Sequence, residues 1–155
     1  MSPYEILLSE YEQSIHIKET NLDYDLKGLY HDGKILIDKS ITEVNKYCIL
    51  AEEIGHHFKT VGVIVKQNTL NDIKQENRGR EWGYNKIFSL EQLIEAKEAG
   101  CLTKYEVIDF LNITEEFYEE TIQFYFNKYG KYVHTDNHTI YFEPLNIVRN
   151  RDING

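Results

Sequence analysis

The sequence predicts an α+β fold: a small antiparallel-containing sheet packed on one long helix, followed by a helical second half. Three observations predict it. Asp32-Gly33 stands between the alternating runs Gly28-Leu29-Tyr30 and Ile35-Leu36-Ile37, the signature of a hairpin closed by a type I′ turn. Ile41, Val44, Cys48, Ala51, Gly55 and Phe58 recur at spacings of three and four, the stripe of a helix that faces a core. Beyond Phe88, the capping residues Ser89, Thr103 and Thr114 each open a helical stretch, and Gly100 and Gly130 close two of them.

The elements follow in order. Ser2 caps a first helix with Pro3 in its first turn and Glu5 completing a capping box, running to about Gln13. Ile15 to Lys18 alternates and reads as a strand, with His16 turned to solvent. The hairpin spans Leu26 to Asp38, with His31 beside its turn. Ser40-x-x-Glu43 reads as the capping box of the long helix. Val61 to Val65 reads as a short strand or as a loop over a cleft. Asn68 to Asp72 leads into a second helix through Lys74 to Tyr84, with Trp82 and Ile87 buried against the first. Tyr105 to Leu111, a tight turn at Asn112 and Glu115 to Tyr129 have the outline of a helix-turn-helix. Glu115, Glu116, Glu119 and Glu120 on the would-be reading helix repel phosphate, so the unit reads as packing or as a protein-docking surface. Phe117, Phe124, Tyr125 and Phe126 read as core. His138 to Phe142 alternates and reads as a final strand or extended arm, and Arg149 to Asp152 as a frayed polar tail.

A length of 155 residues predicts one domain with a proper core, and 12 Tyr with ordinary apolar content argue against disorder. A net charge of −9 argues against a nucleic-acid groove and against an anionic membrane surface. No stretch reaches transmembrane length and no signal peptide is evident. Cys48 falls on the core stripe. Two unmatched thiols, Cys48 and Cys101, predict a reducing, cytoplasmic setting.

The chemistry concentrates on the long helix, at Ala51-Glu52-Glu53-Ile54-Gly55-His56-His57-Phe58. Glu52 and His56 are four apart and share a face. Glu53 lies about 100° further round. Gly55 weakens the helix relative to Ala, which predicts another backbone passing close at that turn. The same residues also describe a solvated face with an ordinary i,i+4 Glu–His pair. The alternative is one substitution away from His-Glu-x-x-His, in which two histidines hold zinc and the Glu between them is the general base. Glu52 stands where that pattern has its first His. Downstream, Glu76, Gly79 and Trp82 repeat the spacing of a third ligand, a small residue three on and an aromatic six on.

Together these segments resemble the ImmA/IrrE family of metallo-endopeptidases, in the branch of phages and mobile elements. The resemblance spans nearly the whole chain. It rests on Lys27-Gly28-Leu29-Tyr30 to Ile37-Asp38, on Leu50 to His57, and on Gln75-Glu76 to Tyr84. Thr114-Glu115-Glu116-Phe117, Lys128-Tyr129-Gly130 and Ile140 to Leu145 complete it. It implies a zincin-like fold, with residues 1–88 as catalytic core and residues 89–155 as a helical C-terminal subregion ending in an extended arm. It implies one metal ion held by Glu52, His56 and Glu76, with Glu53 as catalytic base. Carboxylate oxygen binds zinc at about 2.0–2.2 Å, and two carboxylates beside one imidazole make manganese or iron plausible occupants too. His57 is displaced about 140° from Glu52 on the helical wheel and does not fit as a ligand. Tyr30 and Tyr84 are candidate oxyanion donors. The implied substrate is a helix-turn-helix repressor, cleaved to relieve repression. Because of Glu52, the alternative is an antirepressor that binds the repressor without cleaving it.

Overall fold

The computed structural model describes residues 1–61 and 79–151. The architecture is α+β, and the chain divides into two units, Met1–Ile87 and Phe88–Gly155. Among the described residues, no helix is long and apolar enough to cross a membrane.

In the first unit, α1 (Pro3–Tyr11) starts on a complete Ser2–Glu5 capping box and ends at Tyr11, two residues before the expected Gln13. The amides of Ser14 and Ile15 bond back to the Tyr11 carbonyl, which turns the chain early into β1 (His16–Thr20). The strands β2 (Gly28–His31) and β3 (Lys34–Asp38) form the expected hairpin. Asp32 and Gly33 both take positive φ, 53° and 75°, as a type I′ turn demands. Strand order is β1-β3-β2, with β3 antiparallel to β2 and parallel to β1. The parallel pair sets Ile17 opposite Ile35 and Glu19 opposite Ile37, and the two β3 isoleucines are fully buried. His16 and His31 are exposed.

The long helix α2 (Glu43–Val61) crosses this sheet. Its cap differs from expectation. Thr42 Oγ1 accepts from the Asn45 amide, so Thr42 is the N-cap. Ser40 is occupied elsewhere: its amide and hydroxyl both donate to Asp38 Oδ1. Cys48, Leu50, Ala51, Ile54 and Gly55 are buried, and each fully buried aliphatic such as Ile54 contributes roughly 1.5–3 kcal/mol. The buried face is wider than the expected stripe because sheet, α1 and a third helix all pack on α2. Phe58, at its end, keeps 38% exposure. That third helix, α3, is described over residues 79–87. The Val61 to Val65 strand or loop, the Asn68 to Asp72 lead-in and Lys74 to Arg78 lie outside the described residues, apart from the helical backbone of Val61.

In the second unit, α4 (Leu90–Glu98), α5 (Lys104–Leu111) and α6 (Glu115–Tyr129) start at the expected caps Ser89, Thr103 and Thr114. Asn112 takes the left-handed conformation, φ 58°, that turns α5 into α6. Of the two readings of His138 to Phe142, the strand is the one observed, as β5 (His138–Phe142), but the helical half is corrected in that β5 is the centre of a three-stranded antiparallel sheet with β4 (Tyr132–His134) and β6 (Leu145–Arg149), in the order β4-β5-β6. Burial of Ile140, Phe142 and Ile147 against the α6 aromatics drives it. The frayed tail is corrected at Arg149 and Asn150, while Asp152 lies outside the described residues. Arg149 belongs to β6, and the Asn150 side chain bonds Thr139 and the carbonyls of Thr135 and Asp136. Of the aromatic set read as core, Phe117 and Tyr125 are buried and Phe124 and Phe126 are half-buried; the Tyr125 hydroxyl donates to the Phe88 carbonyl at 2.7 Å.

Candidate functional site

The last turns of α2 carry Glu52, Glu53, His56 and His57, all half-buried, around the fully buried Ile54 and Gly55. Helical spacing places Glu52 and His56 on one face, one turn apart. Two approaches of backbone frame them.

The first is the crossing with α3. A Cβ on Gly55 would overlap the Gly79 carbonyl oxygen and stand 3.1 Å from Trp82 Cβ. A Cβ on Gly79 would stand 2.9 Å from His56 Nδ1 and 3.0 Å from its amide nitrogen. One on Gly83 would stand 3.2 Å from the Glu52 nitrogen. Three glycines therefore let α2 and α3 meet backbone to backbone, as the Gly55 anomaly predicted. The Nδ1–Cγ edge of the His56 ring faces α3, and Nε2 is the ring nitrogen further from that contact.

The second approach is β2. A Cβ on Gly28 would overlap Ile49 Cγ2 and stand 3.5 Å from Glu53 Oε1. The strand thus passes close beside the Glu53 side chain. Two residues on, Tyr30 projects from the same face of β2. Its hydroxyl shares a 3.1 Å hydrogen bond with His57 Nδ1, and the two rings meet edge to face at 5.6 Å. Burial, helped by the Asp32 carboxylate, raises the Tyr30 pKa, so the phenol stays protonated at neutral pH. From His57 an aromatic series continues through Phe58 to Trp82 and Tyr11, with centroid separations of 5.5–5.8 Å.

Glu52, Glu53 and His56 are brought onto one stretch of α2, and Gly79 stands against His56. Glu76, the third expected ligand, lies outside the described residues. Among the described residues no three His, Cys, Asp or Glu side chains gather as a metal-binding group. The expected oxyanion donors separate: Tyr84 is 5% exposed, and Tyr30 spends its hydroxyl on His57. The Tyr30–His57 pair escaped sequence reasoning. No local pattern in the sequence joins residues 27 apart on a strand and a helix.

Comparison with protein-family models, with characterised proteins and with solved structures finds no match.

Proposed function

We propose that this chain is a zincin-like, metal-dependent endopeptidase of the ImmA/IrrE type that cleaves a helix-turn-helix repressor. Glu52, His56 and Glu76 would hold the ion. The described donors suit a divalent ion in kind, an imidazole nitrogen and a carboxylate oxygen one turn apart on one half-buried face. Two carboxylates in the set keep manganese and iron beside zinc as occupants. When bound, such an ion supplies Lewis-acid polarisation of the scissile carbonyl.

The chain's own residues supply the rest. Glu53 is the general base, taking the proton of the attacking water. β2 is an edge of its sheet among the described residues, so its outer backbone groups are placed to pair with an extended substrate next to Glu53. Tyr30, through His57, ties that edge to α2 and fixes its distance from the base. The observation that carries this reading is the close approach of edge strand β2, at Gly28, to the Glu53 side chain, one residue from a Glu52–His56 pair.

A second reading, an antirepressor that binds without cleaving, is favoured by Glu52 at the first ligand position. Incubation with a helix-turn-helix repressor separates the two. Cleavage by the wild type that Glu53→Gln abolishes supports the peptidase. Stable complex formation with neither form cleaving supports the binding module and sinks the peptidase.

A further inference from the structure

In the second unit, the start of α5, the middle of α6 and the β5–β6 turn enclose a cleft of about 390 Å³. This lies within the ~300–1,000 Å³ typical of small-molecule sites. Its floor is apolar: Val107, Ile122, Phe142 and Ile147 are all buried residues that line it. Leu102, 80% exposed, stands at its rim. A floor of this kind takes a hydrocarbon or aryl body.

Two polar groups give that body an orientation. Tyr118 lines the cleft and is 5% exposed, yet its hydroxyl has no hydrogen-bond partner among the described residues. No fully buried side-chain polar atom is left unpaired among those residues, so this hydroxyl is accessible to solvent. A ligand oxygen in the cleft would take the place of water on this hydroxyl. Lys97, half-buried on the rim, is the second group, and its ammonium forms no ion pair among the described residues. The other charges differ. Lys104 is held by Glu115 at 2.8 Å and by Glu119, so its single charge is already shared between two carboxylates. Glu143 lies exposed on the β5–β6 turn. A phenol and an ammonium therefore stand uncommitted beside the apolar floor, with the exposed Asn146 amide also in the lining.

We propose that this cleft binds a small hydrophobic carboxylate, its chain or ring on Val107, Ile122, Phe142 and Ile147 and its carboxylate on Tyr118 and Lys97. The site is independent of the peptidase reading and stands or falls without it.

Octanoate is the first probe, titrated into the full chain while the Ile, Leu and Val methyl groups are followed by NMR. Saturable shifts confined to Leu102, Val107, Ile122, Leu145 and Ile147 are expected. Tyr118→Phe and Lys97→Met each weaken binding about tenfold, the order of a hydrogen bond to a charged group. Both replacements keep the shape of the side chain, so folding is checked in the same spectra. Octylamine, which puts the opposite charge on the same body, binds far more weakly. Shifts that fail to saturate in the millimolar range, equal binding of octylamine, or unchanged affinity in the Tyr118→Phe variant would each overturn the proposal.

Discussion

The two units solve the same packing problem in opposite ways. The second builds its core from large aromatics, Phe88, Tyr118, Tyr125 and Phe142, and starts α4, α5 and α6 each on a side-chain cap. The first builds its centre from absences. Gly28, Gly55, Gly79 and Gly83 let a strand and a helix close directly on α2, at the turns that carry Glu52, Glu53 and His56. Large side chains fill volume and stabilise. Glycines add nothing to a core, and a mid-helix Gly costs roughly 1 kcal/mol relative to Ala. Glycine is used here to bring backbone against titratable side chains. The comparison teaches that the first unit is shaped around a site, whereas the second is shaped around its own core and carries its cleft at the edge.

Substitutions break this contrast most sharply where the two strategies are purest. Phe142→Ala removes a ring that is 1% exposed and packed on Tyr125 and Tyr129, and should cost about 3–5 kcal/mol in urea unfolding. A loss under about 1 kcal/mol would mean the aromatic core is not what holds the second unit. Gly55→Ala tests the first unit. Helix propensity alone favours the alanine by about 1 kcal/mol, but the new methyl overlaps a backbone carbonyl that cannot swing aside. Overpacking should win, for a net loss of about 2 kcal/mol. A stabilised variant would show that α2 and α3 are not in backbone contact.

Two smaller effects sharpen the comparison. Thr42→Ala should cost about 1 kcal/mol as a lost N-cap, and Ser40→Ala clearly less, since Ser40 bonds Asp38 and not the helix. Equal losses would return the cap to Ser40. The smallest effect is electrostatic. Arg149, and then His138, hold the Glu98 carboxyl down to about 2. A carboxylate depressed on folding stabilises fully above its ordinary value of 4.5, and that stabilisation is lost as pH falls through about 2. Glu98→Gln should therefore lower Tm slightly at neutral pH, with the gap to wild type closing below pH 4.5. In the first unit Glu19, held down by Lys46, acts in the same direction. A gap that widens on acidification would contradict the assigned pairing.

Local signals were legible and non-local ones were not. The caps at Ser2, Ser89, Thr103 and Thr114 and the Asp32-Gly33 turn are each written in a few adjacent residues, and the structure uses all of them. The parallel pairing of β1 with β3 depends on strands separated by another strand, so no local pattern announces it. β4 spans three residues and β6 carries Asn146 and Arg149, too short and too polar to read as strands before β5 is known to pair with both. Ser40 and Thr42 offer the same hydroxyl chemistry two residues apart, and Asp38 decides between them in three dimensions. At the site, the spacing of Glu52, Glu53 and His56 was plain, and so was the oddity of Gly55. The approach of β2 to Glu53 and the bond of His57 with Tyr30 come from a sheet edge folding over α2, which the spacing alone does not contain.

The central claim is that α2 offers Glu52 and His56 to a metal ion. Elemental mass spectrometry of the purified, untagged protein beside a His56→Ala variant tests it most directly. The account predicts about one equivalent of zinc or manganese per chain in the wild type and its loss in the variant. No metal in either sample after reconstitution, or equal metal in both, would contradict it.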